Sequence, residues 1–125
     1  MRGYTGDPYL TNLMFMTRIL FLCGKNRRRS PTAEEIFSAR DGIEVSSAGT
    51  SDDAECVVSA DLLDWADRVF VMEASQKKHL SAYFASALKN KKIVCLNIPD
   101  RYEFMQPELI EVLRAKVLPL LRQTR

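Results

Sequence analysis

The chain has 125 residues, 46% hydrophobic and 27% charged, with a formal net charge of +2. This is enough for one core of useful size but not two, and the composition is globular rather than disordered. No stretch of about 18 apolar residues occurs, so no membrane-spanning helix is expected, and the apolar run at 19–23 is too short for a secretory leader. Residues 1–15 have no clear period and carry turn formers at Gly3, Gly6 and Pro8; they read as an extension, disordered in character, with Met16 as an alternative start. Residues 16–125 then form a single domain. Within it, 17–23 is a continuous apolar run, as expected of a central parallel strand buried on both faces. Residues 31–40 read as a helix with Ser30 as N-cap, Pro31 at its first position and Ala33, Ile36, Phe37 and the stem of Arg40 on one face.

A second strand is expected at 43–50, followed by a helix at 53–66 with Cys56, Val57, Ala60, Leu63 and Trp65 facing inward. A third strand at 68–73 leads to a helix at 75–90, with Leu80, Tyr83, Phe84 and Leu88 at helical spacing. A fourth strand at 92–98 precedes an amphipathic helix at 107–123. Four strands alternating with crossovers long enough for a helix imply an α/β fold: a four-stranded parallel sheet with helices on both faces, flavodoxin-like. Ligands of such sheets sit beyond the carboxyl ends of the strands, where the strand order switches.

Lys25, Arg27, Arg28 and Arg29 place four cations in one short loop, and the rest of the chain has 14 basic against 16 acidic residues. The positive balance therefore sits between a strand and a helix. Cys23-Gly24-Lys25-Asn26-Arg27-Arg28-Arg29-Ser30-Pro31 occupies that junction. A phosphate at a helix N-terminus meets unpaired N–H groups and the positive end of the helix dipole. Gly24 permits close backbone approach, and Asn26 tolerates the left-handed conformation of an anion-binding nest. Arg29 can grip two phosphate oxygens, and the same positive surroundings favour the thiolate of Cys23, to which Ser30 can donate. A nucleophile below an anion cradle suits covalent phosphoryl transfer. Cys95 and Arg101 share the cysteine-to-arginine spacing, but Pro99 lies between them and no helix starts there; that match reads as coincidence.

The segment ILFLCGKNRRRSPTAEEIF resembles the phosphate-loop signature of the low-molecular-weight protein tyrosine phosphatases, phosphotyrosine protein phosphatase I-like proteins. Ser47-Ala48-Gly49-Thr50, the stretch from Ala66-Asp67 to Met72-Glu73, and Ile98-Pro99-Asp100-Arg101-Tyr102 resemble further family motifs in the same order. The resemblance covers about residues 16–123 and is strongest to the short bacterial members. It implies a cysteine-dependent phosphatase with Cys23 as nucleophile, Arg29 as phosphate ligand and Asp100 as general acid, then base. Gly24, Lys25, Asn26, Arg27, Arg28 and Ser30 would form the loop, Ser47 would brace it, and Tyr102 would lie on the substrate rim. Gly24 stands where the family has a bulky apolar residue, Lys25 where it has glycine, Arg28 where a second cysteine is common, and Arg101 where it has proline. These departures leave the phosphate chemistry in place and bear on tyrosine specificity.

Two other readings stay open: a phosphate- or RNA-binding module without catalysis, and an arsenate-reductase-like redox enzyme. The arginines lack interleaved aromatic platforms for nucleic acid. Cys56 and Cys95, read as buried small hydrophobes, do not lie near the nucleophile as resolving thiols would. The three cysteines and the single His79, read as a solvated surface residue, fit neither a disulfide framework nor a zinc site. Trp65 and Met72 read as core. The expectation is thus a reduced, cytoplasmic monomer with no cofactor or metal, whose partner is a phosphorylated substrate, with phosphate or sulfate able to occupy the loop. The basic rim of Lys25, Arg27 and Arg28 is read as either solubilising charge or a recruiter of highly anionic substrates. Asp7-Pro8-Tyr9 repeats the family's acid motif but precedes the first strand.

Overall fold

The computed structural model describes residues 16–122, so the extension at 1–15 with its Asp7-Pro8-Tyr9 lies outside the described residues. The elements run β1 (Thr17–Cys23), α1 (Arg29–Phe37), β2 (Ile43–Gly49), α2 (Ala60–Trp65), β3 (Arg68–Val71), α3 (Ala74–Tyr83), a short 3₁₀ turn (Ala85–Leu88), β4 (Lys92–Cys95) and α4 (Pro107–Leu121). All strands are parallel, in the order β2-β1-β3-β4. β1 is central, which explains why its sequence is apolar without alternation: both of its faces are covered.

The period of two divides β1 between two cores. Ile19, Phe21 and Cys23 face α1 and α4, against Ala33, Phe37, Leu109, Leu113 and Val117. Leu20 and Leu22 face the other way, against Leu63 of α2 and Leu80 of α3. Phe21 is the hub of the first core, stacked between Phe37 (5.6 Å) and Phe70 (5.3 Å). Chain order reverses at β1, whose neighbours β2 and β3 lie on opposite sides. The carboxyl end of β1 is thus the switch point, and Cys23 occupies it.

Several elements depart from expectation. The helix expected at 53–66 forms only as Ala60–Trp65. Ahead of it, Val57 makes an isolated bridge to Gly49, and Cys56 O and Val58 N bond to that same glycine. These backbone groups are committed across the chain and cannot form helix. Cys56 and Val57 are consequently exposed, not inward, and Cys95 is only half-buried. Ser30 is not the N-cap: α1 begins at Arg29, and Pro31 stands at its third position, where no intrahelical N–H is required. Arg40 is exposed beyond the helix. The helix expected at 75–90 breaks at Phe84 and continues as the 3₁₀ turn, leaving Tyr83 exposed. The strand at 92–98 ends at Cys95 because Asn97 turns left-handed (φ 56°), though Leu96 and Ile98 still donate to Val71 and Met72. His79 is not simply solvated; it packs 4.8 Å from the ring of Tyr83. Among the described residues no helix is long and apolar enough to cross a membrane.

Candidate active site

Residues 24–28 connect the end of β1 to the start of α1 and form the floor of a cleft of about 120 Å³ lined by Cys23, Lys25, Arg27, Arg28, Arg29 and Asp100. The loop owes its shape to the segment that follows β2. Thr50, Ser51 and Glu55 donate their N–H groups to the carbonyls of Cys23, Gly24 and Lys25 at 2.9–3.0 Å. Among the described residues all peptides are trans, so a carbonyl turned outward to this segment turns the next residue's N–H the opposite way. The N–H groups of Gly24, Lys25 and Asn26 therefore point away from the strap, the arrangement that an anion nest requires. Asn26 is the one loop residue with a left-handed backbone (φ 58°). Lys25 needs no glycine, since its φ is ordinary. Gly24 has open space around its Cα. The indispensable glycine is Gly49, where a Cβ would lie 2.5 Å from the Gly24 carbonyl oxygen and 3.0 Å from the Asn26 nitrogen.

Buried polar side chains brace the loop from below. The amide nitrogen of Asn26 donates to Ser30 Oγ and Ser47 Oγ, each at 3.0 Å, and Ser47 donates to Glu34 Oε1 at 2.6 Å. Ser30 Oγ lies 3.0 Å from Cys23 Sγ and 3.3 Å from the Ala48 carbonyl. Ser30 has a single hydroxyl proton. With Cys23 as a thiol, the sulfur donates to Ser30, which can donate onward to Ala48. With a thiolate, the proton of Ser30 turns to sulfur.

Arg29 is the buried charge of the site, 3% exposed. Its Nη1 donates to the Ile98 carbonyl (2.7 Å) and pairs with Glu73 Oε2 (3.3 Å). Its Nε is buried with no hydrogen-bond partner; Asp100 Oδ1, at 3.7 Å, stands beyond hydrogen-bond reach. A buried donor left unmade is costly, and this one belongs to a residue that lines the same cleft as Cys23. Asp100 reaches the cleft on the stretch after β4, which is tied to α1 by a hydrogen bond from Met105 N to Thr32 Oγ1 and by the Arg28–Glu103 pair. Tyr102 does not line the cleft; it packs against the core, with the Arg101 guanidinium 5.5 Å from its ring.

The basic rim is compensated. Lys25 Nζ holds both oxygens of Asp53 at 2.7 Å, Arg27 pairs with Glu55 at 3.2 Å and Arg28 with Glu103 at 3.7 Å. The Lys25 ammonium, with help from Ser51, holds the Asp53 carboxyl at about 2, well below its ordinary value. Counting Glu73 and Asp100 on Arg29, every cation of the loop has a carboxylate within 4 Å. The free positive patch expected from the sequence is largely neutralised.

No protein-family model and no characterised protein sequence matches this chain. Solved structures do. A low molecular weight protein tyrosine phosphatase from T. tengcongensis superposes with a TM-score of 0.70 at 21% identity, over 86% of this chain and 99% of that one. The fold is that of the low molecular weight protein tyrosine phosphatases. The tyrosine phosphatase Wzb from Escherichia coli K30, in complex with phosphate, matches with a TM-score of 0.65 at 17% identity, covering 88% of this chain and 99% of its own. The YwlE arginine phosphatase from Geobacillus stearothermophilus matches with a TM-score of 0.57 at 22% identity, covering 87% and 98%. On this phosphatase fold, four contributors lie outside the residues expected from the sequence: Glu34, Thr32, Gln76 and the part of the strap at 51–55. Two of them carry a sequence signal: Glu34 in the Ala33-Glu34 pair that follows the loop signature, and Gln76 three residues after Glu73, the spacing of a capping box.

Proposed function

We propose that this protein is a phosphatase of the low molecular weight type, which hydrolyses phosphomonoesters through a cysteinyl-phosphate intermediate. The observation that carries the reading is the unpartnered, buried Nε of Arg29 in a cleft it shares with Cys23. The Cys23 thiolate attacks phosphorus, the S–P bond forms and the P–O bond to the leaving group breaks. Asp100, protonated, gives its proton to the departing oxygen. In the second step Asp100 takes a proton from water, whose oxygen attacks phosphorus; the S–P bond breaks and inorganic phosphate leaves. Arg29 and the loop N–H groups hold the equatorial oxygens throughout. Asp100→Asn should slow hydrolysis of substrates with poor leaving groups by about 10²–10⁴-fold, and less for an activated aryl phosphate in the first step. Steady-state rates with both substrate types, against a Cys23→Ser control that binds vanadate without turnover, test it. A pH–rate profile whose two limbs are unchanged in Asp100→Asn would remove Asp100 from the mechanism.

The lining of the cleft also favours a second reading of the substrate. Apart from Cys23 every lining side chain is charged, and Gly24 adds no wall. A phosphotyrosine ring would meet no aromatic or aliphatic side chain there, only the stems of charged residues, whereas the Asp100 carboxylate could accept from a guanidinium. Phosphoarginine is thus the alternative to phosphotyrosine, and hydrolysis rates on matched peptides carrying one or the other separate the two.

A further inference from the structure

Glu73 follows β3 at the same sheet edge as Cys23 and caps α3, yet it does not line the cleft. Its carboxylate divides between two tasks: Oε2 pairs with Arg29 Nη1 at 3.3 Å, and Oε1 accepts from Gln76 Nε2 at 3.3 Å. Gln76 is itself buried and fixed, its Oε1 accepting from Met72 N (2.8 Å) and Glu73 N (2.9 Å). A rigid chain therefore runs from the β3–α3 backbone through Gln76 and Glu73 to one nitrogen of the guanidinium. The Ile98 carbonyl holds that same nitrogen from β4's continuation. With Nη1 clamped from two strands, the edge carrying Nε is the part left for the ligand.

We propose that Glu73, locked by Gln76, is a positioning residue that fixes the guanidinium plane of Arg29 so that its Nε edge faces the phosphoryl group; the proposal rests on the phosphatase reading above. Glu73 touches no reacting atom, so it is not a spare proton donor for Asp100. A planar fork grips two oxygens only at one angle, and the transition state demands that angle more than the bound ground state does. Removing the Glu73 charge also removes a repulsion felt by a bound anion.

The test is Glu73→Gln, which keeps side-chain length and a capping oxygen, compared with the wild type in kcat, KM and inhibition by inorganic phosphate. The expected result is a kcat lower by about 10–100-fold, of the order that a small misplacement costs, with KM and the phosphate inhibition constant unchanged or lower. Gln76→Glu keeps the acceptor for both backbone N–H groups but turns a carboxylate on Glu73, and should shift the constants in the same sense. It also serves if Glu73→Gln does not fold. An unchanged kcat per folded molecule, or a higher KM at unchanged kcat, overturns the proposal while wild-type turnover keeps the phosphatase reading intact. A wild type that hydrolyses neither a phosphomonoester nor a phosphoarginine peptide overturns both.

Discussion

Arg29 shows how one side chain can be both buried and unfinished. Its Nη1 is bonded within the fold while its Nε is not, an arrangement that costs free energy until an acceptor arrives. An ammonium cannot reproduce the planar fork. Arg29→Lys should therefore reduce kcat/KM at least about 100-fold, because hydrogen bonds to a developing charge are worth that much in comparable sites. Arg27→Ala and Arg28→Ala should leave turnover of a small aryl phosphate nearly intact, since their guanidiniums are half-exposed and paired with Glu55 and Glu103. Kinetics of the three variants on one substrate check this; equal losses would mean that rim and ligand are not distinct.

Among the elements, the segment at 50–58 does what its sequence conceals. It gives up helix formation to hold the phosphate loop through three backbone bonds and two ion pairs. Gly49→Ala, which drives a Cβ into the Gly24 carbonyl and Asn26 nitrogen, should cost about 1–3 kcal/mol, as overpacking does. It should also lower kcat in the molecules that remain folded, read by urea unfolding and by activity per folded protein. The Lys25–Asp53 pair adds a pH signature. Because the Asp53 carboxyl titrates lower in the fold, at about 2, than its ordinary 3.8, the unfolded chain binds more protons between those values and stability rises with pH there. The contribution is full above the ordinary value and is lost as pH falls through about 2. The stability difference between wild type and Asp53→Asn should thus shrink from pH 5 to pH 2 and with added salt, as an exposed pair requires.

At the scale of the whole molecule, the parallel sheet is what assembles the site. Parallel strands end on the same edge, so Cys23 at the end of β1, Glu73 after β3 and Asp100 after β4 converge although the chain separates them widely. The edge is only as rigid as the core beneath it. Phe21→Ala would remove the ring stacked between Phe37 and Phe70, a loss of about 3–5 kcal/mol from a domain whose total is of order 5–15 kcal/mol. Urea unfolding should show a midpoint lowered by a large part of its wild-type value.

The sequence by itself determined whatever is local. The run 17–23 announces a doubly covered strand, and Cys23, Asn26, Arg29 and Ser30 lie within one loop and the first turn of α1, so strand signal, loop chemistry and helix start were legible together. The alternation of strands and helices was enough for the parallel sheet. Helix ends were less legible, since Phe84 and the residues before Ala60 obey contacts rather than propensity. Only the tertiary structure decided which charges meet. Asp53, Glu55, Glu103 and Glu73 stand between 28 and 75 residues from their cations, and a free basic patch therefore became a set of ion pairs. Glu34 likewise reads as an ordinary helix residue until the packing of α1 on β2 brings it to Ser47, whereas Gln76 meets Glu73 locally, as the third residue of the helix that Glu73 caps. Hydrophobic period encodes which face of an element is buried. It does not encode which loops share an edge, because that follows from strand order, and strand order is set by the packing of the whole chain.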